Sequence, residues 1–415
     1  MRMVYQLFCW AYLCTAHVAA LFHSKARKWV VGRRNWQQQL QPGWNPRPQA
    51  PVLWMHCASL GEFEQGRPVL EALRKQVPEL VVVLTFFSPS GYEVRKNYAE
   101  AERVLYLPFD GAKNAKQFLN AIQPNLALFI KYEFWYYYLN ELKTRQIATL
   151  LLAGIFRPQQ PFFKWWGAFH RQMLQCFHYF FVQDTPSAAL LESIGFKTNV
   201  FVAGDPRFDR VIANARTWQT DAVAAVFASN KLVLVAGSTW PKDEKLLAEW
   251  LSQKPQWKLI LVPHEISARQ LHNTQELFQN SMLYSHALKN SEACKQKQVL
   301  IIDRVGLLAG LYRYGNFCYV GGGFNKSGHH NILEAAVFEK AVVTGPVYQK
   351  FAESVALQSM GGSFTVRSAA NLHALTETVS LEEAGKKAGS YVLHHAGATS
   401  CIAQWIQENR LLTKA

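Results

Sequence analysis

Short apolar runs recur along the chain with amphipathic stretches between them. VLWMHCAS (52–59), LVVVLTFF (80–87), LALFIKYEFW (126–135) and TLLLAGIF (149–156) make a first series. KLVLVAGST (231–239), WKLILVPHE (257–265), VLIID (299–303), FCYVGGG (317–323) and AVVTGP (341–346) make a second. The intervening VLEALRKQ (69–76) has helical spacing. Buried parallel strands read as continuous apolar runs because both faces are covered, so this alternation predicts βαβ units and parallel sheets. Two doubly wound α/β domains follow, joined between residues 204 and 230, and ligands of such sheets sit outside the carboxyl ends of the strands.

The amino terminus breaks this pattern. Residues 3–22 carry no formal charge, and about twenty helical residues are enough to cross a bilayer core. Gln6, His17 and the aromatics Tyr5, Trp10 and Tyr12 also suit a helix lying at the interface, and a buried core helix is the plainer alternative. Lys25, Arg27, Lys28, Arg33 and Arg34 follow the apolar run, whereas Arg2 alone precedes it. That asymmetry fits a cytoplasmic body better than a cleaved signal peptide, and it offers charge to anionic headgroups. The expected division is therefore 1–24 as a membrane anchor helix, 25–210 as the first Rossmann-like domain, and 211–415, terminal helix included, as the second.

Length and composition support this picture. At 415 residues the chain exceeds the usual size of one core, and 49% apolar with 18% charged residues excludes a disordered protein. A net charge of +15 favours a phosphate-bearing partner, whether nucleotide, nucleic acid or headgroup. No nucleic-acid-binding module is recognisable. Seven scattered cysteines without a C-x-x-C pair give neither a disulfide framework nor a zinc site.

Three loops carry candidate chemistry. In HCASLGEFEQG (56–66), Glu62 sits just past a strand, as a general base facing the ligand edge or as a solvated first-turn acid. In KYEFWYYY (131–138), Glu133 follows a strand among aromatic rings, where it either serves a ligand or pairs with a neighbouring cation. In YVGGGFNKSGHHNILEAA (319–336), glycines open onto a helix start that suits a nucleotide phosphate, with Asn331 and Glu334 in the opening turn. Glu334 can accept from ribose hydroxyls or simply close the helix start. The loop does not match G-x-x-x-x-G-K-[ST], and the adjacent His329 and His330 lack a zinc-site spacing. Val262–His264 and Arg304–Leu307 are further strand-end segments.

Taken together, these segments resemble the Kdo (3-deoxy-D-manno-octulosonic acid) transferases. The resemblance rests on Ser59-Leu-Gly-Glu62, Ser88-Pro-Ser-Gly91, Leu107-Pro-Phe-Asp110, Glu133-Phe-Trp135, Gly204-Asp-Pro-Arg-Phe-Asp209, and Val320 to Glu334 with Thr344-Gly-Pro346. It implies a GT-B glycosyltransferase with two Rossmann-like domains facing a cleft, an acceptor domain followed by a CMP-Kdo donor domain, and no required metal or cofactor. Glu62 would be the base of an inverting displacement, and Glu133 and Arg207 would stabilise its transition state. Pro263, His264, Val305, Gly306, Leu307, Asn331, Ile332, Leu333 and Glu334 would bind the cytidylate. Departures occur at Pro263-His-Glu-Ile-Ser267, where the family commonly has Arg-His-Pro-Glu-Arg, and at Gly328-His-His-Asn331, where it has Gly-Gly-His-Asn.

The implied acceptor is a lipid A precursor (lipid IVA) at the cytoplasmic face of the inner membrane, in lipopolysaccharide assembly, with no nucleic-acid partner. Phe162 to Trp166, with Phe169, His170 and Arg171, would dip into headgroups or else form an ordinary buried helix face. The competing functions are a GT-B enzyme using another nucleotide sugar and a non-catalytic basic protein that binds membrane surfaces.

Overall fold

The computed structural model describes residues 1–412. It divides into two compact units, Met1–Arg210 together with the segment from Ala396 onward, and Val211–His395.

The first unit holds seven parallel strands: β1 (Val52–Cys57), β2 (Val81–Phe86), β3 (Arg103–Tyr106), β4 (Leu126–Ile130), β5 (Ala148–Gly154), β6 (Tyr179–Val182) and β7 (Val200–Val202), in the order β3-β2-β1-β4-β5-β6-β7. Side chains of β1 alternate between two cores. Val52 and Trp54 join one, and Leu53, Met55 and Cys57 the other. A strand buried on both faces explains an apolar run that His56 alone interrupts. The run 126–135 ends as a strand at Ile130, where Lys131 takes φ +69° and turns the chain out of the sheet. Strand order reverses between β1 and β4, the position at which open α/β sheets form their ligand crevice.

The carboxyl-terminal helix, Ala398–Glu408, corrects the expected 211–415 domain. Its Ile402, Ala403 and Ile406 pack into the second core of the first sheet. The Asp209 carboxylate accepts from the backbone N–H of Gly397 (2.6 Å) and Thr399 (2.8 Å) and so fixes the start of that helix. The second unit therefore stops at His395.

That unit is built on β8 (Leu232–Thr239), β9 (Trp257–Pro263), β10 (Ser281–Leu283), β11 (Val299–Ile301), β12 (Phe317–Val320), β13 (Ala341–Thr344) and β14 (Ser363–Thr365), all parallel, in the order β10-β11-β9-β8-β12-β13-β14. Its order reverses between β8 and β12.

Candidate active site

In the first unit, Glu62 lies in the opening turn of the helix Leu60–Gln76, directly beyond β1. Ser59-x-x-Glu62 has the spacing of a capping box, yet the Ser59 side chain caps no backbone N–H. Its hydroxyl instead donates to the half-buried Glu62 carboxylate. Glu133 lies in the loop after β4, across the switch point from Glu62. Its Oε2 lies 2.8 Å from His56 Nε2 and accepts from the Trp135 indole at 2.7 Å, and that indole is also 3.1 Å from His56 Nε2. His56 points from β1 and is fully buried, while Trp135 is stacked on Phe87 at 4.7 Å.

Both carboxylates act on one neighbour. The Cys57 thiol is pushed well above its ordinary range, first by burial and then by the charges of Glu62 and Glu133. Arg207 joins the group through Asp205, whose carboxylate accepts from Arg207 Nε at 2.8 Å and from its backbone N–H at 2.9 Å. Gln65, one turn beyond Glu62 on the same helix, donates to Asp205 at 3.4 Å. Thus β1 and its following helix connect to all three charged positions: Glu62 directly, Glu133 through His56, and Arg207 through Gln65 and Asp205. The chemical capacity of this cluster is a carboxylate within reach of a ligand hydroxyl, with a second carboxylate and a guanidinium held nearby.

The second unit gathers its loops differently. Pro263 ends β9 and is buried, and the exposed His264 stacks between Trp240 (4.6 Å) and His330 (4.5 Å). Burial, then the neighbouring His264 and His329, pushes His330 down to about 4. Val305 and Gly306 form an exposed turn, with Gly306 at φ +92°, and Leu307 follows half-buried. Asn331 caps a one-turn helix, Leu333–Ala336: its Oδ1 accepts from Leu333 N–H at 3.1 Å and its Nδ2 donates to Glu334 at 3.3 Å.

Ile332 and Leu333 have buried side chains, so they present only backbone to a ligand. The glycine run also has a packing role that the sequence reading did not anticipate. A Cβ on Gly321 would fall 2.3 Å from Ser238 O, and one on Gly323 2.5 Å from Gly345 N. These glycines let the end of β8 and the loops after β12 and β13 meet. Among the described residues no group of three or more His, Cys, Asp or Glu is placed to hold a metal.

A family model described as 3-deoxy-D-manno-octulosonic-acid transferase (kdotransferase) matches residues 34–210. A 3-deoxy-D-manno-octulosonic acid transferase of Haemophilus influenzae is 25% identical over 312 residues, covering 72% of this chain and 71% of that protein. One from Chlamydia trachomatis serovar A is 24% identical over 345 residues, covering 81% and 79%. Residues 34–210 are thus similar to the Kdo transferase family, and the chain is a glycosyltransferase.

A bifunctional glycosyltransferase/methyltransferase of Fusobacterium nucleatum is 24% identical over 72% of this glycosyltransferase, which spans only 47% of that relative. Among solved structures, a UDP-GlcNAc 2-epimerase from Neisseria meningitidis aligns with TM-score 0.59 at 15% identity, covering 86% of this chain and 100% of that one. Acinetobacter baumannii MurG aligns at 0.53 and 13%, covering 86% and 99%. At these identities the likeness bears on fold, and the fold is GT-B.

The transferase's amino-terminal helix, Arg2–Phe22, is long and apolar enough to cross a membrane. One side lies against the first unit: Tyr5 donates to Asp110 at 2.5 Å and Tyr12 stacks on Phe109. The other side exposes Met3, Leu7, Phe8, Trp10, Leu21 and Phe22. Of the following cations, Arg33 is taken up internally. Its guanidinium donates to the carbonyls of Trp29, Phe87 and Leu107, and burial pushes it down to about 9. Lys25, Arg27, Lys28 and Arg34 remain exposed. The 162–171 segment is mixed, since Phe162 and Phe169 belong to the core whereas Trp165 is 91% exposed.

Sequence reading did not single out His56, Thr85, Trp135 or Asp205. The available signal was a histidine inside an otherwise apolar strand, because a buried polar ring requires a partner.

Proposed function

We propose that this enzyme transfers Kdo from CMP-Kdo to a lipid A precursor (lipid IVA) with inversion at the anomeric carbon. The observation that carries this reading is the pair of carboxylates at the carboxyl ends of β1 and β4, one half-buried in a helix's first turn beside the Ser59 hydroxyl and one braced by His56 and Trp135. The names of the Haemophilus and Chlamydia relatives support the choice of sugar.

In this reading Glu62 removes the proton from the acceptor hydroxyl, which at neutral pH is too weak a nucleophile unaided. The oxygen attacks the anomeric carbon of Kdo, and the bond to the cytidylate phosphate breaks with the electron pair going to CMP. Arg207 and Glu133 balance charge as it develops, a task that preorganised groups perform well in a site that excludes water. The second unit takes the cytidylate through His264, the Val305–Leu307 turn, the backbone at Ile332 and Leu333, and the polar ends of Asn331 and Glu334. Pro263 shapes the approach to His264. The reaction as written needs no metal or redox cofactor.

The acceptor's hydrocarbon tails place the work at a membrane, by this reading the cytoplasmic face of the inner membrane. Support comes from the apolar outer side of the Arg2–Phe22 helix and the exposed Lys25, Arg27, Lys28 and Arg34 beside it. Contacts at Tyr5 and Tyr12, about 10 Å apart along a helix, favour a helix lying in the interface over one standing across it.

The test is incubation with CMP-Kdo and tetraacylated precursor, following CMP release and the mass of the lipid product. Expected is a gain of whole Kdo units matched by CMP. Turnover only with a UDP- or GDP-sugar would replace the donor assignment, and salt-sensitive vesicle binding without transfer would replace the enzyme reading of this substrate pair.

A further inference from the structure

His56 is enclosed between two partners of different character. On one side its Nδ1 lies 2.8 Å from Thr85 Oγ1, and on the other its Nε2 lies 2.8 Å from Glu133 Oε2. Thr85 Oγ1 also accepts from the Trp54 indole at 2.9 Å. The single Thr85 proton has two acceptors in range, His56 Nδ1 and, at 3.4 Å, the Met55 carbonyl.

If it goes to Nδ1, the neutral ring carries its own proton on Nε2. If it goes to Met55, Nδ1 donates to Thr85 and the neutral ring leaves Nε2 as an acceptor, with the Trp135 indole N–H 3.1 Å away. The first arrangement aims an N–H at Glu133 Oε2, and the 2.8 Å between Nε2 and Oε2, too close for two bare acceptors, selects it. With Trp135 donating to the same oxygen, Oε2 is occupied, and Oε1 is left without a hydrogen-bond partner among the described residues.

Oε1 is also the only direction in which Glu133 can serve a ligand. An apolar groove of about 690 Å³ opens at this point, lined by Glu133, Trp135, Phe134, Phe162, Met173 and the Phe8 side of the amino-terminal helix. Glu133 itself sits in an irregular loop, so its aim is set by its partners and not by helix or strand geometry.

We infer that His56 is a positioning residue for transfer: by holding Glu133 Oε2 from β1, it turns Oε1 toward the substrate. The inference rests on the proposed role of Glu133 and adds how that role is maintained. Thr85 and Trp54 extend the brace, fixing the ring orientation from β2 and β1.

The experiment compares His56→Gln, His56→Asn and His56→Leu in the full-length enzyme, alone and combined with Glu133→Gln. A glutamine amide can keep a donor where Nε2 stands, an asparagine amide only where Nδ1 stands, and leucine neither. Expected is a fall in kcat of about 10- to 100-fold for Asn and Leu, the usual effect of a hydrogen bond to a charged group. The KM for the nucleotide sugar should be unchanged, and Gln should recover most of the loss. Added to Glu133→Gln, His56→Leu should cost little more, because both act at one carboxylate.

Thermal unfolding separates this from damage to the fold, since Gln and Asn at a buried strand position should unfold at similar temperatures while differing in kcat. Equal losses for Gln and Asn, or full additivity with Glu133→Gln, would overturn the inference while leaving the Glu133 role intact. Wild-type activity in Glu133→Gln alone would remove that role, and the inference with it.

Discussion

Glu133 and Asp243 are both buried carboxylates at the carboxyl edge of a parallel sheet, one in each unit, and they differ in what is left unbonded. Asp243 is saturated. Tyr319 donates to Oδ1 at 2.7 Å, and the backbone N–H groups of Trp240 and Gly322 donate to Oδ2 at 2.9 and 3.0 Å, tying the loops after β8 and β12 together. Glu133 receives two donors on one oxygen and none on the other. A buried acid with both oxygens engaged is a structural tie, whereas one held firmly by a single oxygen is prepared for a ligand. The same sheet plan thus yields a site of braced charges in the first unit and a site shaped by close backbone approach in the second.

The sharpest way to break this contrast is by activity. Glu62→Gln should lower turnover by roughly 10²- to 10⁴-fold, the range for a lost general base, with CMP affinity and thermal stability unchanged. CMP binding measured by calorimetry beside a turnover assay checks both halves. A simultaneous loss of CMP binding would mean that the first-unit carboxylates serve the second unit's ligand.

Asp243→Ala should do the reverse. It strands the Tyr319 hydroxyl and two backbone N–H groups in a buried place, which costs about 3 kcal/mol or more, and it should lower the unfolding temperature. If that variant kept its stability and lost only transfer, Asp243 would belong with Glu133. Gly321→Ala is a smaller perturbation of the same seam. Its Cβ, 2.3 Å from Ser238 O, forces a backbone shift of about 1–3 kcal/mol, visible as a lowered unfolding temperature and weaker CMP binding.

How much of this was legible in the sequence depended on length and locality. The longer strands, β1, β2, β4, β5, β8 and β9, announce themselves as apolar runs of four or more residues, and the strand-end acids Glu62 and Glu133 could be picked out by position. Of the three- and four-residue strands, β11, β12 and β13 were read because their runs end on the turn residues Asp303, Gly321 and Gly345, whereas β3, β6, β7, β10 and β14 were missed as loops with a few apolar side chains. The His56–Glu133 pair joins residues 77 apart and exists only because β1 and β4 are neighbours. The terminal helix shows an amphipathic pattern, but the sheet it covers is fixed by Asp209, far away in sequence. The glycines at 321 and 323 were visible, while their use in loop-to-loop packing depends on Ser238 and Gly345, which the sequence does not place beside them.

Asp110 tests the saturated class by pH. Tyr5 and the backbone N–H of Tyr137 donate to its Oδ2 at 2.5 and 3.2 Å, and the N–H of Tyr138 donates to Oδ1 at 3.3 Å. Those donors favour the ionised form, but burial outweighs them and pushes Asp110 from 3.8 up to about 6. A carboxyl that holds its proton more tightly when folded stabilises the fold fully below its unfolded value, and that contribution is lost as pH rises through about 6. Acidification from pH 7 to 5 should therefore gain about 1 kcal/mol from this group, or about 2–4 °C in a unit of this size. The measurement is the unfolding temperature of wild type minus that of Asp110→Asn at the two pH values, which cancels the other titrating groups. The difference should shift toward wild type at pH 5. A shift the other way would show that the three donors prevail over burial, so that full engagement of its oxygens keeps Asp110 charged inside the protein.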